Sequence, residues 1–129
     1  MYLRMAECLA DVSKDERLKV GCVIVKDNNI IATGYNAMTK HLDYPNQLPD
    51  GNTDARVRHA EKNALMSLIR SNENAVGAVM FVTHSCCYHC AIDLVDAGIK
   101  KVYYLEEYRS TDGLDHLRKY GVEVEKMED

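Results

Sequence analysis

Nine residues from Thr83 to Ala91, THSCCYHCA, hold three cysteines and two histidines. Such a density of thiols and imidazoles is either an oxidisable surface or part of a metal shell. Cys87 and Cys90 stand three apart at the start of a predicted helix, so their sulfurs share one face. The partial positive charge of a helix N-terminus favours thiolate over thiol there. With Cys87 as the first helical residue, Cys86 points elsewhere. His84 lies on the strand side and His89 projects away from the Cys87–Cys90 face. Two thiolates leave a tetrahedral zinc shell half filled. Upstream, RHAEKN supplies His59, with Glu61 two residues later. His59, Cys87 and Cys90 make three protein ligands, which leaves a fourth position for water. That is the arrangement of a catalytic zinc rather than a structural one.

Zinc lowers the pKa of a bound water to roughly 7 and makes hydroxide available at neutral pH. Glu61, in the first turn of its helix beside His59, is placed to carry a proton without binding the metal. Hydrolytic loss of ammonia from an aminopyrimidine needs this pair: a hydroxide for the ring carbon, and an acid for the ring nitrogen and the departing amine. Alone, C-x-x-C fits a structural zinc half-site or a redox pair, and His-x-Glu arises by chance. Together, at two helix starts with a strand between them, they form the H-x-E … C-x-x-C pattern of zinc deaminases.

The elements that must position these groups are legible as alternating patterns. Residues 2–12 carry apolar side chains at helical spacing. Residues 20–26 and 30–36 flank DNN and read as a β-hairpin. Residues 37–57 show no periodicity and form a long loop, a kind more often functional than idle. Residues 60–70 are strong helix formers. A buried strand at 78–83, a helix at 87–97 closed by a left-handed Gly98, a strand at 101–105, a helix at 112–120 and an edge strand at 122–127 complete the chain. Alternation of strand and helix predicts a layered α/β sheet, in which ligands collect where strands run into helix N-termini.

At this point the chain resembles the deoxycytidylate (dCMP) deaminase branch of the cytidine deaminase superfamily. SKDERLKVGCVIVKDNNIIATGYN (13–36), RHAEKNAL (58–65), FVTHSCCYHCA (81–91) and AGIKKVYYLEEY (97–108) follow that family's order and spacing. The resemblance implies a three-layer α-β-α fold with a five-stranded mixed sheet. It implies Zn2+ on His59, Cys87 and Cys90, with Glu61 as proton shuttle in conversion of dCMP to dUMP and ammonia. Backbone groups of Ala60 and Ser85 would touch the cytosine ring, Asn36 the ring or sugar, and Tyr108 the nucleotide. It further implies dCTP and dTTP effectors and a homo-oligomer, family members commonly being hexamers. Two positions depart from the family pattern. Cys86 stands where proline usually precedes the first ligand cysteine, and it leaves Cys86 with Cys90 as an alternative pair of poorer spacing. Ala37 stands where glycine is common, in a region the family links to nucleotide regulation. The 37–57 loop offers only His41 for the extra zinc site of some viral members.

Bulk properties bound the remaining choices. With 129 residues, 47% of them hydrophobic and 28% charged, the expectation is one zinc-dependent deaminase domain over 1–129. There is no long apolar run and no signal-peptide core at the N-terminus, so a cytoplasmic protein without a membrane span is expected. A net charge of −4 argues against a nucleic acid polymer as partner. It allows a small phosphorylated ligand, for which Lys19, Lys40, Arg56, Arg58 and Arg109 are candidate cations. Other deaminase substrates (free cytidine, a tRNA adenosine, another nucleotide) are alternatives within the same chemistry. A non-catalytic zinc module would account for His59, Cys87 and Cys90 but not for Glu61.

Overall fold

The computed structural model describes residues 1–38 and 45–128. The elements run α1 (Tyr2–Ala10), β1 (Gly21–Lys26), β2 (Asn29–Tyr35), α2 (Ala60–Leu68), β3 (Val79–His84), α3 (Tyr88–Ala97), β4 (Lys101–Glu106), α4 (Asp112–Lys119) and β5 (Glu123–Lys126). The strands form a five-stranded sheet in the order β2-β1-β3-β4-β5. β1 is antiparallel to β2 and to β3, whereas β3, β4 and β5 are parallel. The expected mixed sheet is therefore present.

The hairpin turns on two residues. Asp27 and Asn28 both take positive φ, 50° and 67°, as a type I′ turn requires, and Asx residues tolerate this best. The apolar run of β1 is buried on both sides because β1 lies inside the sheet. Cys22 and Ile24 face one core, with Met80 and Val82 of β3 and the apolar sides of α2, α3 and α4. Val23 and Val25 face the other, with Ala6 and Leu9 of α1 and Phe81. The result is one helix on one face and three on the other.

Helix ends explain where the boundaries differ from the sequence pattern. α2 stops at Leu68, two residues short of the predicted end, where Ser67 and Ser71 hydroxyls donate to the carbonyls of Ala64 and Leu68. Such back-bonding competes with continuation of the helix. α3 ends as predicted at Gly98, with φ 88°, and the Ile99 N–H donates back to Leu94 C=O. At its start, Cys87 is the N-cap with extended backbone rather than the first helical residue.

α2 is seated on the sheet by a close approach at Gly34. A Cβ there would overlap the Ala60 carbonyl oxygen and lie 2.7 Å from the Ala64 nitrogen, both backbone atoms that cannot swing aside. Gly34→Ala is expected to destabilise the protein by about 3 kcal/mol, the upper end for overpacking. The check is a lower urea midpoint at unchanged m-value.

Candidate metal centre and active site

His59 and Cys87 are the N-caps of α2 and α3. Both have extended backbone, at φ −66°, ψ 158° and φ −74°, ψ 171°. Cys90 is the third residue of α3, so the N-cap side chain folds over the same turn that presents it. The three ligand atoms lie within 4.8 Å of one another, and His59 Nδ1 is 3.4 Å from each of the two sulfurs. Zinc–sulfur bonds near 2.3 Å and zinc–nitrogen bonds near 2.0–2.1 Å set neighbouring tetrahedral ligands roughly 3.6 Å apart. The donor set and its spacing fit zinc, and among the described residues no fourth side chain joins the group.

Electrostatics separate the five cysteines. Cys87 is held well below the ordinary thiol range, chiefly by the Cys90 S–H and then by the His59 ring. Cys90 is pushed up by the Cys87 thiolate beside it and by burial. The shifts run in opposite directions because two adjacent sulfurs disfavour a double negative charge. The Cys87 sulfur in turn raises His59. Burial pushes up Cys22 and Cys86; Cys86 lies outside the group that His59, Cys87 and Cys90 form, and Cys8 is exposed on α1.

Glu61 is 4% exposed, and burial raises its pKa above the usual carboxylate value. It lines a cavity of about 520 Å³ together with His59, Ala60 and Cys87. The opposite walls come from the segment 15–20, from Thr53 and Val57, and from His84, Ser85 and the run 107–109. All four predicted substrate-contact residues reach this cavity, each with part of its polar capacity already used. Asn36 Oδ1 accepts from Val20 N–H at 2.9 Å and its Nδ2 donates to Leu18 C=O at 2.7 Å. One amide hydrogen and one lone pair are left over. Ser85 N–H donates to Glu106 C=O, and its hydroxyl accepts from Tyr108 N–H at 2.7 Å. The Ala60 carbonyl accepts the Cys22 thiol at 3.3 Å, while the Ala60 amide, in the first turn, has no acceptor within its helix.

The candidate cations scatter. Arg109 lines the cavity, its guanidinium 5.7 Å from the Tyr108 ring centroid. Lys19 faces an outer groove with Glu7 and Asp11. Arg56 forms a forked pair with Asp54. Arg58 lines the groove along β2 and α2. Lys40 and His41 lie outside the described residues. His84 stays out of the metal group and instead walls the cavity, with Nδ1 3.1 Å from Thr83 Oγ1.

Several functional neighbours escaped the sequence reading. Asp15 is buried and its Oδ1 accepts the amides of Arg17 and Leu18, an Asx turn that shapes the wall and brings Arg17 to the cavity. The S-x-D spelling of residues 13–15 is a turn signal that could have located it. Part of the 37–57 loop docks on this same segment, through Gln47 on Glu16 N–H and Thr53 on Asp15. Asn63 Nδ2 donates to the carbonyls of Tyr35 and Ala37 and so fixes the start of α2 against the end of β2.

Comparison with known proteins yields a consistent set. Residues 1–106 match the family described as the cytidine and deoxycytidylate deaminase zinc-binding region. The dCMP deaminase of cyanophage S-TIM5, crystallised in complex with dCMP and dUMP, is 45% identical over 98% of this chain and 93% of its own, with a TM-score of 0.95. ComE operon protein 2 of Bacillus subtilis (strain 168) is 35% identical over 98% of this chain and 69% of its own length. Deoxycytidylate deaminase of Enterobacteria phage T4 is 32% identical over 95% and 86%.

In the metal-stripped protein, iodoacetamide at pH 6 is expected to alkylate Cys87 ahead of Cys22 and Cys86, because its neighbours hold Cys87 low while burial raises the other two. Peptide mass spectrometry reads the order, and prior zinc loading should protect Cys87.

Proposed function

Because the chain belongs to the cytidine and deoxycytidylate deaminase zinc-binding family, we propose that it hydrolyses dCMP to dUMP and ammonia. The observation that carries this reading is a buried carboxylate, Glu61, sharing a cavity wall with a three-ligand donor set fit for zinc. The dCMP and dUMP bound in the cyanophage relative support the choice of nucleotide.

Zinc held by His59, Cys87 and Cys90 would acidify a water and so supply the nucleophile at neutral pH. Glu61 would take a proton from the attacking water and pass it to ring N3 as the new C4–O bond forms. It would then take the proton of the new C4 hydroxyl and carry it to the amine as the C4–N bond breaks and C4=O forms, so the sum is water in and ammonia out. Its burial suits the part, since a carboxylate with raised pKa retains a proton between two transfers more readily than an exposed one. The first-turn N–H of Ala60 is a donor for ring O2, and the Ser85 carbonyl is an acceptor for the exocyclic amine. The spare amide hydrogen of Asn36 serves a ring or sugar oxygen, and Tyr108 borders the nucleotide.

Arg109 and Arg17 are the arginines lining the cavity, and we assign them to the 5′-phosphate. The reading extends to supply of dUMP for thymidylate synthesis in the cytoplasm, to control by dCTP and dTTP, and to a homo-oligomer. Family membership supports these parts. Among the described residues, no helix is long and apolar enough to cross a membrane.

Glu61→Gln is expected to lower kcat on dCMP by about 10²–10⁴-fold with zinc content and circular dichroism unchanged; undiminished turnover removes Glu61 from the mechanism. Arg109→Ala is expected to cut kcat/KM for dCMP by about 10- to 100-fold, the value of a charge-assisted hydrogen bond, and to leave deoxycytidine turnover nearly untouched. Equal losses on both substrates would cancel the phosphate assignment.

A further inference from the structure

α4 lies beyond the residues matched by the family, yet it touches the metal loop directly. Gly113, in its first turn, is buried against the backbone of Cys86 and Cys87. A Cβ on Gly113 would overlap the Cys86 carbonyl oxygen and come within 2.9 Å of the Cys87 carbonyl oxygen. Leu114 and Leu117 of α4 bury in the same core as Cys86, Cys90 and Leu94. His116 stands edge-on to Tyr88, the first residue of α3, with ring centroids 5.2 Å apart and an interplanar angle of 79°. The peptide that aims Cys87 is therefore clasped by α4 through backbone, apolar and ring contacts.

The clasp has a physical reason. Proline immediately before Cys87 would preset φ and restrain the approach to the helix, and Cys86 supplies no such restraint. Its side chain is 1% exposed and acts as neutral filler. Among the described residues its amide donates no backbone hydrogen bond. The Cys87 carbonyl accepts Ala91 N–H, and α4 packs closely against the Cys86–Cys87 peptide, an approach that a Cβ at residue 113 would block.

We propose that Gly113 is a positioning residue for the metal centre: by letting α4 close on the Cys86–Cys87 peptide, it fixes the direction of Cys87 Sγ toward Cys90 and His59 and so sets how firmly zinc is retained. This rests on the reading of those three side chains as the zinc shell. In isolation, alanine favours a helix over glycine, so any loss in Gly113→Ala reports the close contact rather than helix propensity.

The test compares zinc-loaded wild type, Gly113→Ala, Gly113→Ala with Cys86→Pro, and Val23→Ala, which weakens the core on the opposite face of the sheet, away from α4. Zinc release to the chelator 4-(2-pyridylazo)resorcinol is the principal readout, with urea midpoints and kcat and KM on dCMP at saturating zinc. Gly113→Ala is expected to release zinc about 10- to 100-fold faster, the scale for loss of a partner that orients a ligand. Its KM should stay close to wild type. The proline variant should recover part of the retention, and Val23→Ala should lose stability while releasing zinc at nearly the wild-type rate. Wild-type release from Gly113→Ala overturns the proposal, as does equally fast release from Val23→Ala, or no recovery with Cys86→Pro. A wild-type protein that binds no zinc would instead remove the metal reading itself, which separates the two failures.

Discussion

Everything in this molecule that bears on chemistry depends on two helix N-termini meeting at one point. α2 and α3 begin at His59 and Cys87, and each starts with its N-cap turned toward the other. Unpaired amides at helix starts favour negative charge nearby, so a thiolate is at home here. The sheet enforces the meeting. β1 sits between β2 and β3; α2 rests on the hairpin through the Gly34–Ala60 approach, and α3 leaves directly from β3. The Cys22 thiol, reaching from β1 to the Ala60 carbonyl, ties strand to helix at the level of the site.

Environment, rather than residue type, divides the labour among similar side chains. Cys22 and Cys86 are packing groups, whereas Cys87 and Cys90 meet at His59 with shifts of opposite direction. The carboxylates divide in the same way. Asp54 is held low by hydrogen bonds from Arg56, Asp15 organises a turn, and Glu61 is raised by burial. A buried carboxylate is costly to ionise, and a raised carboxyl on a cavity wall is of the kind suited to proton transfer.

Much of this was legible in the sequence because the informative residues interact locally. The DNN turn, the Gly98 cap and the helix starting at residue 60 depend on neighbours a few positions away. The spacing of Cys87 and Cys90 is likewise a property of one helical turn. His59 and Glu61 could be joined to them because strand–helix alternation brings helix starts to one edge of the sheet. What escaped was set by distant partners. Nothing near Arg17 in the chain says that its Asx turn opens onto the cavity, and Arg58 reads no differently from Arg109 until the fold separates them. The helical position of Cys87 was misjudged by one residue, since N-cap and first-turn residues differ only in backbone angles.

The sheet order also shapes how the molecule can be made. β1 pairs with β3 from Cys22 to Val82, with α2 and the long loop between them in the chain. During translation at about 5–20 residues per second, β1 waits roughly 3–12 s for its second partner. Through that interval one side of an apolar strand is open to any other extended chain, the hazard of an uncovered sheet edge. Cys87 and Cys90 follow β3 in the chain, so ion binding at those side chains cannot shorten the interval.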